Sequence, residues 1–94
     1  MNNFFEWRVK EVEYLEEYKL VIKFADGKVK VVDLESQLNK PVFEPLKNIN
    51  NFKKYSIKYS TIEWESGADI APEWLYENGV ELETDISSTF KTNN

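Results

Sequence analysis

The stretch YKLVIKFADGKVKVVD, residues 18–33, constrains the fold more than any other part of the chain. Tyr18, Leu20, Ile22 and Phe24 alternate with more polar neighbours. Asp26-Gly27 then supplies two residues that tolerate positive φ, and Val29 and Val31 resume the alternation. This pattern predicts a β-hairpin. With a two-residue turn, Phe24 stands opposite Val29 and Ile22 opposite Val31, so both apolar sets share one face and Lys23 meets Lys30 on the wet one.

Upstream, Trp7-Arg8-Val9-Lys10 and Val12-Glu13-Tyr14 each alternate, but their phases differ by one residue, as a bulge near Lys10 or Glu11 requires. Residues 7–15 therefore read as a first strand, joined to the second by a tight turn at Glu16-Glu17. Three antiparallel strands in sequence are more stable than a lone hairpin. Downstream, Leu34 and Leu38 have helical spacing for a single turn before Pro41. Phe43, Leu46, Ile49 and Phe52 recur at threes, which predicts a short helix over 44–52 with Pro45 in its first turn. Tyr55, Ile57 and Tyr59, then Ile62 and Trp64, read as two short strands or one bulged strand. A second helix begins near Pro72, capped by Asp69 or Ala71 and closed by Asn78-Gly79. Val80 to Glu83 adds an edge strand.

The fold predicted is α+β: one antiparallel sheet of four or five strands with two short helices on one face, a single domain over residues 1–85, and a flexible tail over 86–94. Ninety-four residues suit one core without staples. That core is expected to contain Leu20, Ile22, Phe24, Val29, Val31, Phe43, Leu46, Phe52, Ile57, Ile62, Trp64, Ile70, Leu75 and Tyr76.

There is no cysteine and no histidine. Thiolate metal sites, disulfides, Ser-His and Cys-His pairs and the commonest general base near neutral pH are thereby excluded. The start lacks a basic n-region and a long apolar run, so a cytosolic protein is expected. The formal charge of −5 disfavours nucleic acid and anionic membrane surfaces. Residues 41–60 carry an excess of lysine, while residues 61–94 carry eight acidic groups against one basic.

The order of FADG (24–27), Asp33, Leu34, Leu38, VFEPL (42–46), Phe52 and IEWESGADIAPEWLY (62–76) resembles the bacterial domain-of-unknown-function family numbered 2442, over residues 7–77. Trp64, Gly67, Asp69, Ile70, Pro72, Leu75 and Tyr76 match its closing signature in order. Glu65 and Trp74 depart from it. The resemblance implies a small α+β domain and brings no established activity. Some relatives look encoded beside toxin-like proteins.

Glu63, Glu65, Asp69 and Glu73 invite a metal or acid-base reading, but their spacing matches no calcium loop, and Glu63 and Glu65 fall on the strand face opposite Ile62 and Trp64. Solvation and helix capping explain them more simply. Trp74 is expected to lean outward beside Glu73, since Leu75 with Ile70 or Ala71 takes the core stripe. Lys53, Lys54 and Lys58 interleave with Tyr55 and Tyr59, but alternation puts stacking and phosphate neutralisation on opposite faces, which disfavours a single-strand nucleic-acid platform. The leading expectation is a non-enzymatic protein-interaction module, an acidic partner of a basic, toxin-like protein, with Trp74, Glu73, Glu65, Glu63 and Asp69 as its surface. No cofactor, metal or membrane is expected, and an edge strand could pair with its copy in a homodimer. The alternatives are a small-molecule or nucleic-acid sensor, and an enzyme built from carboxylates and tyrosines.

Overall fold

The loop of the first hairpin decides which residues of the next strand face the core. A computed structural model describes residues 7–82 and shows strands β1 (Val9–Glu16), β2 (Lys19–Phe24) and β3 (Val29–Asp33) in an antiparallel meander. The β2–β3 loop contains three residues rather than two. The Phe24 N–H donates to the Lys28 carbonyl and the Gly27 N–H to the Phe24 carbonyl, each at 2.9 Å. Gly27 adopts a φ of +93°, which costs an L side chain dearly.

The register moves by one residue as a result: Lys23 pairs with Val29, Ile22 with Lys30 and Leu20 with Val32. A one-residue slip exchanges the faces of a strand. Val32, not Val31, joins Leu20 in the core, and Lys30 shares the inner face with Ile22. Val29 and Val31 are half-buried on the opposite face, contrary to expectation. In β1 the ladder shifts between Val9 and Glu11, as the change of phase predicts, and again between Tyr14 and Glu16.

Two 3-10 helices, Glu35–Asn39 and Pro41–Lys47, precede α1 (Ile49–Phe52). The single helix predicted over 44–52 is divided at Asn48. There the backbone is extended, and the side chain accepts a hydrogen bond from the Asn50 N–H at 2.9 Å, capping a new helix. Leu34, Leu38, Phe43, Leu46 and Phe52 of this segment are buried.

The next strands form a sheet of their own instead of extending the first. β4 (Tyr55–Lys58), β5 (Thr61–Trp64) and β6 (Asp69–Ile70) are antiparallel in that order. Tyr59 and Ser60 link β4 to β5, both with positive φ (52° and 66°), as a two-residue hairpin turn of the right twist requires. The Val9 N–H donates to the Ser60 carbonyl at 2.9 Å, so this turn is fastened to the start of β1. The β5–β6 loop repeats the first hairpin's construction: Trp64 N–H to Ala68 carbonyl, Gly67 N–H to Trp64 carbonyl, and Gly67 at φ +96°. Helix α2 (Pro72–Asn78) follows, and β7 (Val80–Glu81) returns to pair with β3, giving a first sheet ordered β1-β2-β3-β7. The tail predicted over 86–94 lies outside the described residues. No helix among the described residues is long and apolar enough to cross a membrane.

The α+β class stands, and its core is aromatic. Phe52 is fully buried, with Tyr14 and Tyr18 edge-on to it and Trp64 stacked at 5.9 Å between ring centroids. The Trp64 indole N–H donates to the Phe52 carbonyl at 2.8 Å, satisfying both buried groups. Among the expected core residues, Ile57 is 40% exposed, and Tyr76, Val29 and Val31 are only half-buried. Gly79 ends α2 as predicted, but with φ −80° and not in the left-handed conformation. Its necessity is one of space: a Cβ there would lie 2.8 Å from Lys30 Cβ, 3.0 Å from Val32 Cγ2 and 3.1 Å from the Leu75 carbonyl oxygen.

Candidate functional site

Alternation along the second sheet sends Ile62, Trp64 and Ile70 into the core and leaves an outer face of charge. On that face Glu63 stands directly opposite Ser56 on β4 and directly opposite Asp69 on β6. Two carboxylates in such a position repel and cost stability unless a cation lies near. Lys58 answers in part, its Nζ 4.0 Å from Glu63 Oε1. Among the described residues no ion pair reaches Asp69.

Lys54 and Glu65 extend the same face beyond the strand ends. With Ser56, Lys58 and Glu63 they line an open concavity of about 510 Å³. Lys54 and Lys58 stand on the β4 side, Glu63 and Glu65 on the β5 side, so the face is divided into a basic column and an acidic column. Lys54, Lys58, Glu65 and Asp69 are exposed and Glu63 is half-buried.

The five residues expected to form a partner surface therefore separate. Glu63, Glu65 and Asp69 share the outer face or its rim. Asp69 lies in β6 rather than capping α2, whose N-cap is Ala71 with no side-chain bond. Glu73 is exposed in the first turn of α2. Trp74 does not lean outward: it is half-buried and packs against the core, because the seven-residue helix lies close enough for more than one row of side chains to touch it. Among the described residues no three acidic side chains are grouped as a metal would need.

Two features were not expected from the sequence. Tyr55 is half-buried beside β1, and burial, with the Glu13 carboxylate adding to it, raises its phenol pKa above the ordinary 10.0 against the lowering effect of a backbone hydrogen bond at Tyr14. Lys30, which pattern alone puts in water, donates from Nζ to the Tyr76 carbonyl at 2.5 Å and lies 3.7 Å from the centre of the Tyr76 ring. The Tyr76 hydroxyl donates to Asp26 Oδ2 at 2.5 Å. This staple joins the end of α2 to the first hairpin, and a lysine amine at a helix C-terminus also suits the helix dipole. Only the true register of β3, set by the three-residue loop, would have signalled it.

The family model described as Protein of unknown function (DUF2442) matches residues 9–81. No curated protein and no solved structure matches the chain.

Proposed function

The chain belongs to the DUF2442 family, and for this member we propose a non-enzymatic protein-interaction module whose working surface is the outer face of the second sheet. One observation carries the reading: Glu63 and Asp69 are held directly opposite each other, with exposed Glu65 at the same rim. Like charges so placed cost the free domain a fraction of a kcal/mol, of order 0.2–1. A partner that brings cations across them recovers this cost on binding. The open, hydrated setting of these carboxylates also suits electrostatic steering better than proton transfer, which draws on enclosed and desolvated groups. The partner is accordingly a basic protein, and a basic toxin-like protein encoded nearby is the candidate of that kind which the family resemblance suggests.

The test is affinity capture from the native cytosol at low salt, with wild type and with Glu63→Gln/Asp69→Asn. The wild type is expected to retain a basic protein that elutes at raised ionic strength and that the double variant loses. Equal recovery by both proteins, with both folded by circular dichroism, refutes the assignment of this face. Trp74→Ala serves as a separate arm and is expected to lower stability rather than capture, since the ring is packed on the core.

A further inference from the structure

The face that presents Glu63 and Glu65 also carries its own complement one strand away. Side chains of successive rows run Lys58 beside Thr61, then Ser56 beside Glu63 beside Asp69, and past the strand ends Lys54 and Glu65 line the same concavity. The charges are thus sorted by strand: basic along β4, acidic along β5 and β6. A two-fold axis parallel to the strands and midway between β4 and β5 carries each β4 over the β5 of a second copy. Lys54 of one copy then meets Glu65 of the other, Ser56 meets Glu63, and Lys58 reaches Glu63 along the diagonal. No other in-plane two-fold does this, because an axis across the strands sets Lys54 over Lys58.

We propose that this face is a docking surface for a second copy of the same chain, forming an isologous dimer in which basic and acidic columns interlock. The proposal rests on the reading of this face as an interaction surface and adds a second, weaker occupant that the basic partner displaces. Packed sheets stand about 10 Å apart, a gap that opposed lysine and glutamate side chains fill. The contact is isologous, so it closes at two copies.

Tyr59 adds a further contact. It is 97% exposed at the end of the basic column, in a backbone conformation that a bulky residue adopts only at a cost, and its turn is fastened to β1 by the Val9–Ser60 hydrogen bond. The two-fold brings the Tyr59-Ser60 turns of the two copies to the same end of the interface. The remaining charges are exposed pairs of small individual worth, so the dimer is weak and salt-sensitive. Asp69 stays at the rim, open to a basic competitor.

The experiment is sedimentation equilibrium up to about 1 mM protein, the range of weak complexes, at low and at high salt. Four proteins are compared: wild type, Lys54→Glu, Glu65→Lys, and the double charge swap. The wild type is expected to dimerise and to lose at least about tenfold in association constant at high salt. Each single reversal should weaken it about tenfold or more, and the double swap should restore it to within about threefold. A wild type that stays monomeric at every concentration overturns the proposal. So does a dimer indifferent to the single reversals, or one that the double swap fails to restore. The basic-partner reading is judged separately, by capture at dilute concentration where the chain is monomeric: capture by a protein that never dimerises sustains that reading and removes this one.

Discussion

Replacing Gly79 by alanine separates two reasons for which a helix ends in glycine. If left-handed backbone were the reason, asparagine would serve nearly as well. Gly79 instead has φ −80° and ψ 154°, which any residue adopts, so backbone preference favours the substitution. Gly→Ala at such a site stabilises by about 0.4–1 kcal/mol through the unfolded chain.

Against that gain stand three contacts. The new methyl would lie 2.8 Å from Lys30 Cβ and 3.1 Å from the Leu75 carbonyl, both fixed by the backbones of β3 and α2; only Val32 Cγ2, at 3.0 Å, can turn away. Overpacking of this kind costs about 1–3 kcal/mol. The contacts that cannot relax place the cost in the upper part of that range, so the net loss is about 1–2 kcal/mol.

Urea unfolding followed by tryptophan fluorescence should show a lower midpoint with unchanged m, and the melting temperature should fall by roughly 4–8 °C per kcal/mol for a domain of this size. Gly79→Asn should fare no better than Gly79→Ala. At Gly27, where φ is +93°, Asn should instead be milder than Ala. A Gly79→Ala protein as stable as wild type, or more so, would refute the argument from close approach.

Two further outcomes follow from backbone strain and burial. Tyr59→Asn/Ser60→Gly places the residues favoured at two successive positive φ values where Tyr and Ser now stand, and Tyr59 is exposed, so stability should rise by about 1–3 kcal/mol in urea melts. Tyr55 has a folded-state pKa above its unfolded value near 10.0, so its contribution is complete below pH 10 and is lost as pH rises through the folded value. Alkaline urea midpoints should therefore fall less steeply for Tyr55→Phe than for wild type, and parallel curves would disprove it.

The meander and its first bulge were legible because alternation and a change of phase are local signals. Register was not: Asp26-Gly27 suits both a two-residue and a three-residue loop, and only the Phe24–Lys28 closing pair distinguishes them. That single residue decides whether Val31 or Val32 is core, and whether Lys30 reaches Tyr76. The helix over 44–52 carried a correct apolar stripe, yet Asn48 favoured capping over continuation. In the candidate site, the outward direction of Glu63 and Glu65 followed from the phase of Ile62 and Trp64. The Glu63–Asp69 juxtaposition did not, because WESGADI reads as a strand running into a helix until its Gly67 loop is seen to fold β6 back on β5.

The staple has a consequence in time. Asp26 and Tyr76 are 50 residues apart and Lys30 and Tyr76 are 46 apart, whereas β1, β2 and β3 pair with near neighbours. A nascent chain therefore has its meander ready long before α2 exists to close over the end of the first hairpin, and local pairing outruns distant closure. During that interval Phe24, fully packed in the finished fold, lacks the Tyr76 ring that stands edge-on at 5.0 Å. Synthesis of α2 is thus also the moment at which the earliest-made part of the sheet stops offering an apolar surface to its surroundings.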